Sequence, residues 1–117
     1  MKLNLSEPFA CDKLLASVVS TIFPAKNIDF TAGGEAILLA AGDEVSEECL
    51  GGEGSFEHFQ IEHGQILFTY GYDLPEVDLQ IFLIANTDMD EVYSICFLDI
   101  EGKIYRTVRD FDIGSIQ

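Results

Sequence analysis

The chain has 117 residues, 48% hydrophobic and 11% aromatic, with 21 acids against six bases and a formal net charge of −15. That length suits one domain with one real core, and the apolar and aromatic content excludes the composition of a disordered chain. The charge excludes partners held mainly through lysine and arginine: nucleic-acid backbones and anionic lipid surfaces are repelled, whereas basic proteins and cations are attracted.

The charge is also segregated. Residues 27–102 contain no lysine or arginine and carry 17 of the carboxylates, so this stretch has a charge of −17 and each flank +1. Solubility alone does not require omitting every base over such a length while keeping bases at both ends. The three cysteines, Cys11, Cys49 and Cys96, are an odd number without a Cys-x-x-Cys pair, which fits reduced packing thiols in a reducing compartment. Glu7, Pro8 and Asp12 interrupt any signal-like apolar stretch behind Lys2, and no apolar run nears the ~20 residues that span a bilayer. The expected location is the cytoplasm.

In chain order, residues 6–23 read as a long helix. Ser6 suits the cap, Glu7 and Pro8 the first turn, and Pro24 the stop. Leu14, Leu15, Val18, Val19 and Ile22 recur at helical spacing, with Phe9 and Cys11 extending the stripe. Residues 28–41 admit two readings: a helix over 35–41 capped from Thr31, or a hairpin turning at Gly33 and Gly34 between 28–32 and 35–41. Asp43 then caps an expected short acidic helix over 44–50, and 51–54 is a glycine-rich loop.

From residue 55 the pattern changes to strands. Residues 56–62 and 65–72 flank a tight turn at His63 and Gly64, and Ile66, Phe68, Tyr70 and Tyr72 alternate with a period of two. Pro75 breaks the second strand. Residues 77–85 are almost continuously apolar, as a central strand buried on both faces would be. A polar loop over 86–90 leads to a strand over 91–99. Asp99 and Gly102 then suit a type I turn with a glycine bulge, returning as 103–109. That register places Cys96, Leu98, Ile104 and Val108 on one face and Tyr93, Ile95, Phe97 and Tyr105 on the other. Both faces are apolar, so the second is either covered or a binding surface. Residues 110–117 read as a loosely attached tail. The expected fold is α+β: one domain, 1–117, with a long N-terminal helix on a mainly antiparallel meander of about five strands.

Motifs for catalysis are missing. His58 and His63 each follow a glutamate, one residue too far apart for an inverted zincin pattern; on a strand, a separation of five sends them to opposite faces. No serine elbow occurs, and the glycine loops lack the lysine of a phosphate loop. Asp88, Asp90 and Glu91 lack the glycine and distal glutamate of an EF-hand. With 21 acids, some carboxylate pair will be suitably spaced for glycoside chemistry by accident. No catalytic residue, metal or cofactor is therefore expected.

The base-free block carries the functional expectation. It predicts a small acidic binding protein of the bacterial immunity-protein kind, neutralising a basic toxin domain such as a nuclease. The alternatives are a nucleic-acid mimic that occupies a DNA-binding protein, or a small enzyme or cation-binding module. A mimic should carry carboxylates in two rows at phosphate spacing, whereas here only Glu44, Glu47 and Glu48 cluster. The expected partner contacts are Glu44, Glu47, Glu48 and Glu53 together with Asp73, Glu76 and Asp78, with Asp88, Asp90 and Glu91 as a second group.

Overall fold

The computed structural model describes residues 10–24, 34–88 and 91–109. Helix α1 (Ala10–Ile22) is followed by strand β1 (Glu35–Ala40), a 3-10 turn (Glu47–Leu50), a short helix α2 (Ser55–Phe59) and strands β2 (Ile66–Leu74), β3 (Leu79–Ala85), β4 (Val92–Asp99) and β5 (Ile104–Arg109). The strands form one antiparallel sheet in the order β1-β2-β3-β4-β5. The architecture is thus α+β, a five-strand meander with few helices. Residues 6–9, 28–33 and 110–117, which include the expected cap, one arm of the hairpin and the tail, lie outside the described residues.

Helix α1 covers the first face of the sheet. Cys11, Leu14, Leu15, Val18 and Val19 are buried on it and pack with Tyr72, Leu74, Ile81, Leu83, Ile95 and Phe97. Leu15 is wholly buried, a position at which truncation to alanine costs about 2–5 kcal/mol. The Phe23 N–H still bonds the Val19 carbonyl at 2.7 Å before Pro24 ends the helix. The Phe23 ring meets Phe97 edge-on at 6.2 Å and stacks on Tyr105 at 6.5 Å.

For 35–41 the strand reading holds and the helix reading falls. Every residue of β1 pairs with β2, Leu39 opposite Leu67 and Ile37 opposite Thr69, and the buried Thr69 hydroxyl donates to the Ile37 carbonyl at 2.8 Å. Alanine and leucine favour a helix in isolation, but sheet pairing overrides so weak a preference.

The expected helix over 44–50 is shorter and starts later. The Ala40 carbonyl accepts the N–H groups of Glu44 and Val45 at 2.9 and 3.1 Å, which closes a turn. Helical geometry begins only at Glu47, with Ser46 rather than Asp43 at its cap, and Gly51 closes it at φ 110°. The strand expected over 56–62 is not formed. Gly54 and Gln60, both at positive φ (86° and 59°), bracket α2 instead, and Phe56 and Phe59, three residues apart, turn inward together.

Residues 41–61 form the layer that answers the question of the second face. Ala41, Val45, Leu50 and Ile61, with Phe56 and Phe59, close over Leu39, Leu67, Ile84 and Tyr93 to make a second core. The other part of that face, around Glu35, Ile37, Gly71, Asp73, Gln80 and Phe82, lines an open groove of about 360 Å³. Two bulges change the expected faces. Ile84 pairs with Ser94 but Ala85 with Val92, so Tyr93 leaves the face of Ile95 and Phe97 and joins the second core. Leu98 pairs with Ile104 but Phe97 with Arg106, and this extra residue brings Val108 opposite Ile95 on the helix-covered face. The turn after Asp99 is as expected: Gly102 has φ 83° and Asp99 N–H bonds the Lys103 carbonyl at 2.8 Å.

Candidate functional site

The expected partner-binding acids fall into separate groups. The first lies on the covering layer. Glu44, Glu48 and Glu53 are exposed, as are Asp43, Glu57 and Glu62 beside them, whereas Glu47 is half-buried. Two of these carboxylates have local work: Glu44 Oε1 accepts the Ala40 N–H at 3.1 Å, and Glu47 Oε2 accepts the Phe56 N–H at 3.0 Å, tying the 3-10 turn to α2. Asp43 lies 3.5 Å from His63. Glu48, Glu53, Glu57 and Glu62 are the outward charges of the layer.

The second group surrounds the β2–β3 turn at 75–78. Asp73, Glu76 and Asp78 are exposed, and Asp73 accepts the Gln80 amide at 2.9 Å. Asp99 and Glu101 of the β4–β5 turn join them, and the two turns bound a cleft of about 550 Å³. Asp99 Oδ1 accepts the N–H groups of Glu101 and Lys103, both at 2.9 Å, and Lys103 lies 3.6 Å from Glu101.

The expected union of 44–53 with 73–78 is not what the sheet allows. Residues 41–65 leave β1 at Ala40 and rejoin the sheet at Ile66, the end that holds Ala85, Val92 and the 86–91 loop. The 75–78 turn lies beyond Leu74 and Leu79 at the opposite end, with 99–102. In a meander alternate connections share an end, a rule that also predicts the company of Asp99 and Glu101. Nothing in the sequence assigns Glu57 and Glu62 to this layer, because their segment reads as strand. In the third group Asp88 is exposed, Glu91 is half-buried with its N–H on Asn86 Oδ1 at 3.0 Å, and Asp90 lies outside the described residues.

The histidines do not face apart on a strand, as expected, because neither is on one. His58 lies on α2 with its ring 4.7 Å from that of Phe59, and His63 lies in the turn before β2. Among the described residues no group of three or more histidines, cysteines or carboxylates is placed to hold a metal ion.

Comparison with family models, curated proteins and solved structures gives no match. The site therefore rests on its own geometry. Among the described residues no helix is long and apolar enough to cross a membrane.

Cys11 and Cys96 are buried, as expected of packing thiols, and it is the position of Cys49 that the sequence does not foretell. Cys11 is buried under α1, and burial with the Asp12 charge pushes its thiol up to about 11. Cys49, in the 3-10 turn, lies against β4 at Ser94, two residues from Cys96, although 46 residues separate the two cysteines in sequence. A hydrogen bond from Cys96 brings Cys49 down to about 6; burial and Glu48 oppose this, and hydrogen bonds from Ser46, whose Oγ lies 3.7 Å away, reinforce it. Cys96 moves the opposite way, pushed up by donating that bond and by burial. No spacing motif marks such a pair, since the sheet and its covering layer make the encounter.

Proposed function

We propose that this chain is a non-enzymatic inhibitor that binds a basic protein domain, of the kind by which bacteria hold a nuclease or other toxin inactive. The observation that carries the reading is the covering layer. Glu48, Glu53, Glu57 and Glu62 are exposed on turns and a short helix whose other side is a packed core. Charged loops on a rigid scaffold are the usual make-up of a recognition surface. Carboxylates in a stretch of sequence that holds no lysine or arginine suit a basic cleft, steering encounter at long range and pairing at contact. The finer architecture that goes with this reading is a single domain in which a long N-terminal helix backs the sheet and leaves the layer on the opposite face to the partner.

The test is co-expression with the reading frame immediately upstream of its own gene. The expected outcome is a toxin domain whose killing this chain suppresses and with which it co-purifies. A metabolic enzyme in that position, or a toxin that kills equally in its presence, overturns the reading.

A further inference from the structure

We propose that Cys49 and Cys96 form an oxidative modification site, at which Cys49 reacts with hydroperoxides and Cys96 converts the product to an intramolecular disulfide. The argument starts from placement. Cys49 is half-buried at the surface of the covering layer, whereas Cys96 is buried beneath it in β4, 1% exposed, two residues from Ser94 and paired across the sheet with Thr107. Both neighbouring strands hold the turn that carries Cys49 in place. The Ser94 hydroxyl of β4 donates to the Cys49 carbonyl at 2.8 Å, and the Thr107 hydroxyl of β5 donates to the Glu48 carbonyl at 3.4 Å. The turn that carries Cys49 is thus held on both sides of Cys96 by ordered backbone, and only one of the two side chains meets solvent.

That asymmetry orders the chemistry. The Cys49 thiolate, held by hydrogen bonds from Cys96 and Ser46, attacks the terminal oxygen of a hydroperoxide. A sulfur–oxygen bond forms, the oxygen–oxygen bond breaks, and the departing alkoxide or hydroxide takes a proton from water. Sulfur is oxidised by two electrons to the sulfenic acid, and the peroxide is reduced to an alcohol or water. Cys96 sulfur then attacks the sulfenic sulfur. The sulfur–sulfur bond forms, the sulfur–oxygen bond breaks, and hydroxide leaves as water with the Cys96 proton. Cys11 takes no part, because it is buried in the other core, under α1. The proposal is independent of any partner of the acidic surface.

The experiment treats the purified, reduced chain with hydrogen peroxide and follows thiol count and intact mass. Two of the three thiols should disappear with a loss of two hydrogens and return with dithiothreitol. Digestion after glutamate should yield a peptide pair joined through Cys49 and Cys96. Cys96→Ser should stop at a sulfenic acid that dimedone captures, and Cys49→Ser should leave Cys96 unmodified. The peptide map of the unaltered protein stands even if the Cys96 variant fails to fold. Retention of all three thiols at peroxide levels that oxidise free cysteine overturns the proposal. So does a bridge between two chains in place of the internal one.

Discussion

Asp12 Oδ1 accepts a hydrogen bond from the Tyr70 hydroxyl at 2.9 Å, joining the first turn of α1 to β2 across 58 residues of sequence. The Tyr72 hydroxyl donates to the same oxygen, and the Tyr70 oxygen in turn accepts the Gly34 N–H at 3.0 Å, so the helix, β2 and the start of β1 share one polar node. Asp12→Asn keeps an acceptor oxygen and Asp12→Ala does not, while both remove the same charge from a molecule already at −15. The alanine variant should therefore be less stable than the asparagine variant by about 1–2 kcal/mol. Urea unfolding at constant slope measures the difference, and equal midpoints would show that the node contributes nothing.

Alkylation of Cys49 should show the influence of Cys96 directly. With its thiol lowered from the ordinary 9.0 to about 6, Cys49 should react with iodoacetamide at a rate that has levelled off by neutral pH. In Cys96→Ala the donor is gone, and the rate should go on rising toward pH 9. At pH 7 the unaltered protein should react faster by on the order of tenfold, since lower basicity partly offsets the larger thiolate fraction. The same shift adds stability as pH rises from about 6 toward 9.0 and withdraws it as pH falls through 6. Superimposable rate profiles for the two proteins would remove the hydrogen bond from the account.

Phe82 lies across its cross-strand partner Gly71, and a β-carbon at 71 would stand 2.6 Å from the ring. Gly71→Ala should cost about 1–3 kcal/mol by overpacking. In a Phe82→Ala background the same change should be close to neutral. Thermal or urea unfolding of the four proteins gives the coupling, and an additive pair would place the strain elsewhere.

On the covering layer, carboxylates that bond a backbone N–H and those with no such bond among the described residues should behave differently. Glu47→Gln weakens the charge-assisted bond to Phe56 N–H and should cost about 1 kcal/mol. The triple change of Glu48, Glu53 and Glu57 to glutamine should leave stability unchanged or raised. It should slow association with a basic partner at low salt, where the Debye length is ~30 Å, and much less near 0.15 M, where it is ~8 Å. Stopped-flow association across salt concentrations is the measurement, and a triple variant with unaltered rates would move the contact off this layer.

The legible parts of the chain were those where one physical signal dominated. The alternation of Ile66, Phe68, Tyr70 and Tyr72, the apolar run through β3, and the Asp99–Gly102 turn carry the meander from β2 to β5. The covering layer is ambiguous in sequence because Phe56, Phe59 and Ile61 fit a short strand as readily as a short helix. Left-handed Gln60, which decides for the helix, has no special mark in sequence. The bulges beside Tyr93 and Tyr105 likewise fall at residues without glycine or proline, so face assignments by simple alternation drifted. The acidic block was visible at once, but its division between opposite ends of the sheet depends on where 41–65 folds back. The Cys49–Cys96 encounter needs that same fold-back and was not legible at all.

The long excursion between β1 and β2 also sets an order of events. β2 to β5 are joined by the short connections 75–78, 86–91 and 100–103, which bring neighbouring strands together cheaply, whereas β1 waits for 41–65 to close. Leu83→Ala in β3 should therefore slow folding, while Leu39→Ala in β1 should chiefly speed unfolding, a distinction that stopped-flow kinetics resolves. Until β1 docks, the outer edge of β2 offers unpaired backbone groups to any other chain. At that moment the formal charge of −15 acts between molecules, keeping incomplete sheets from adding to one another.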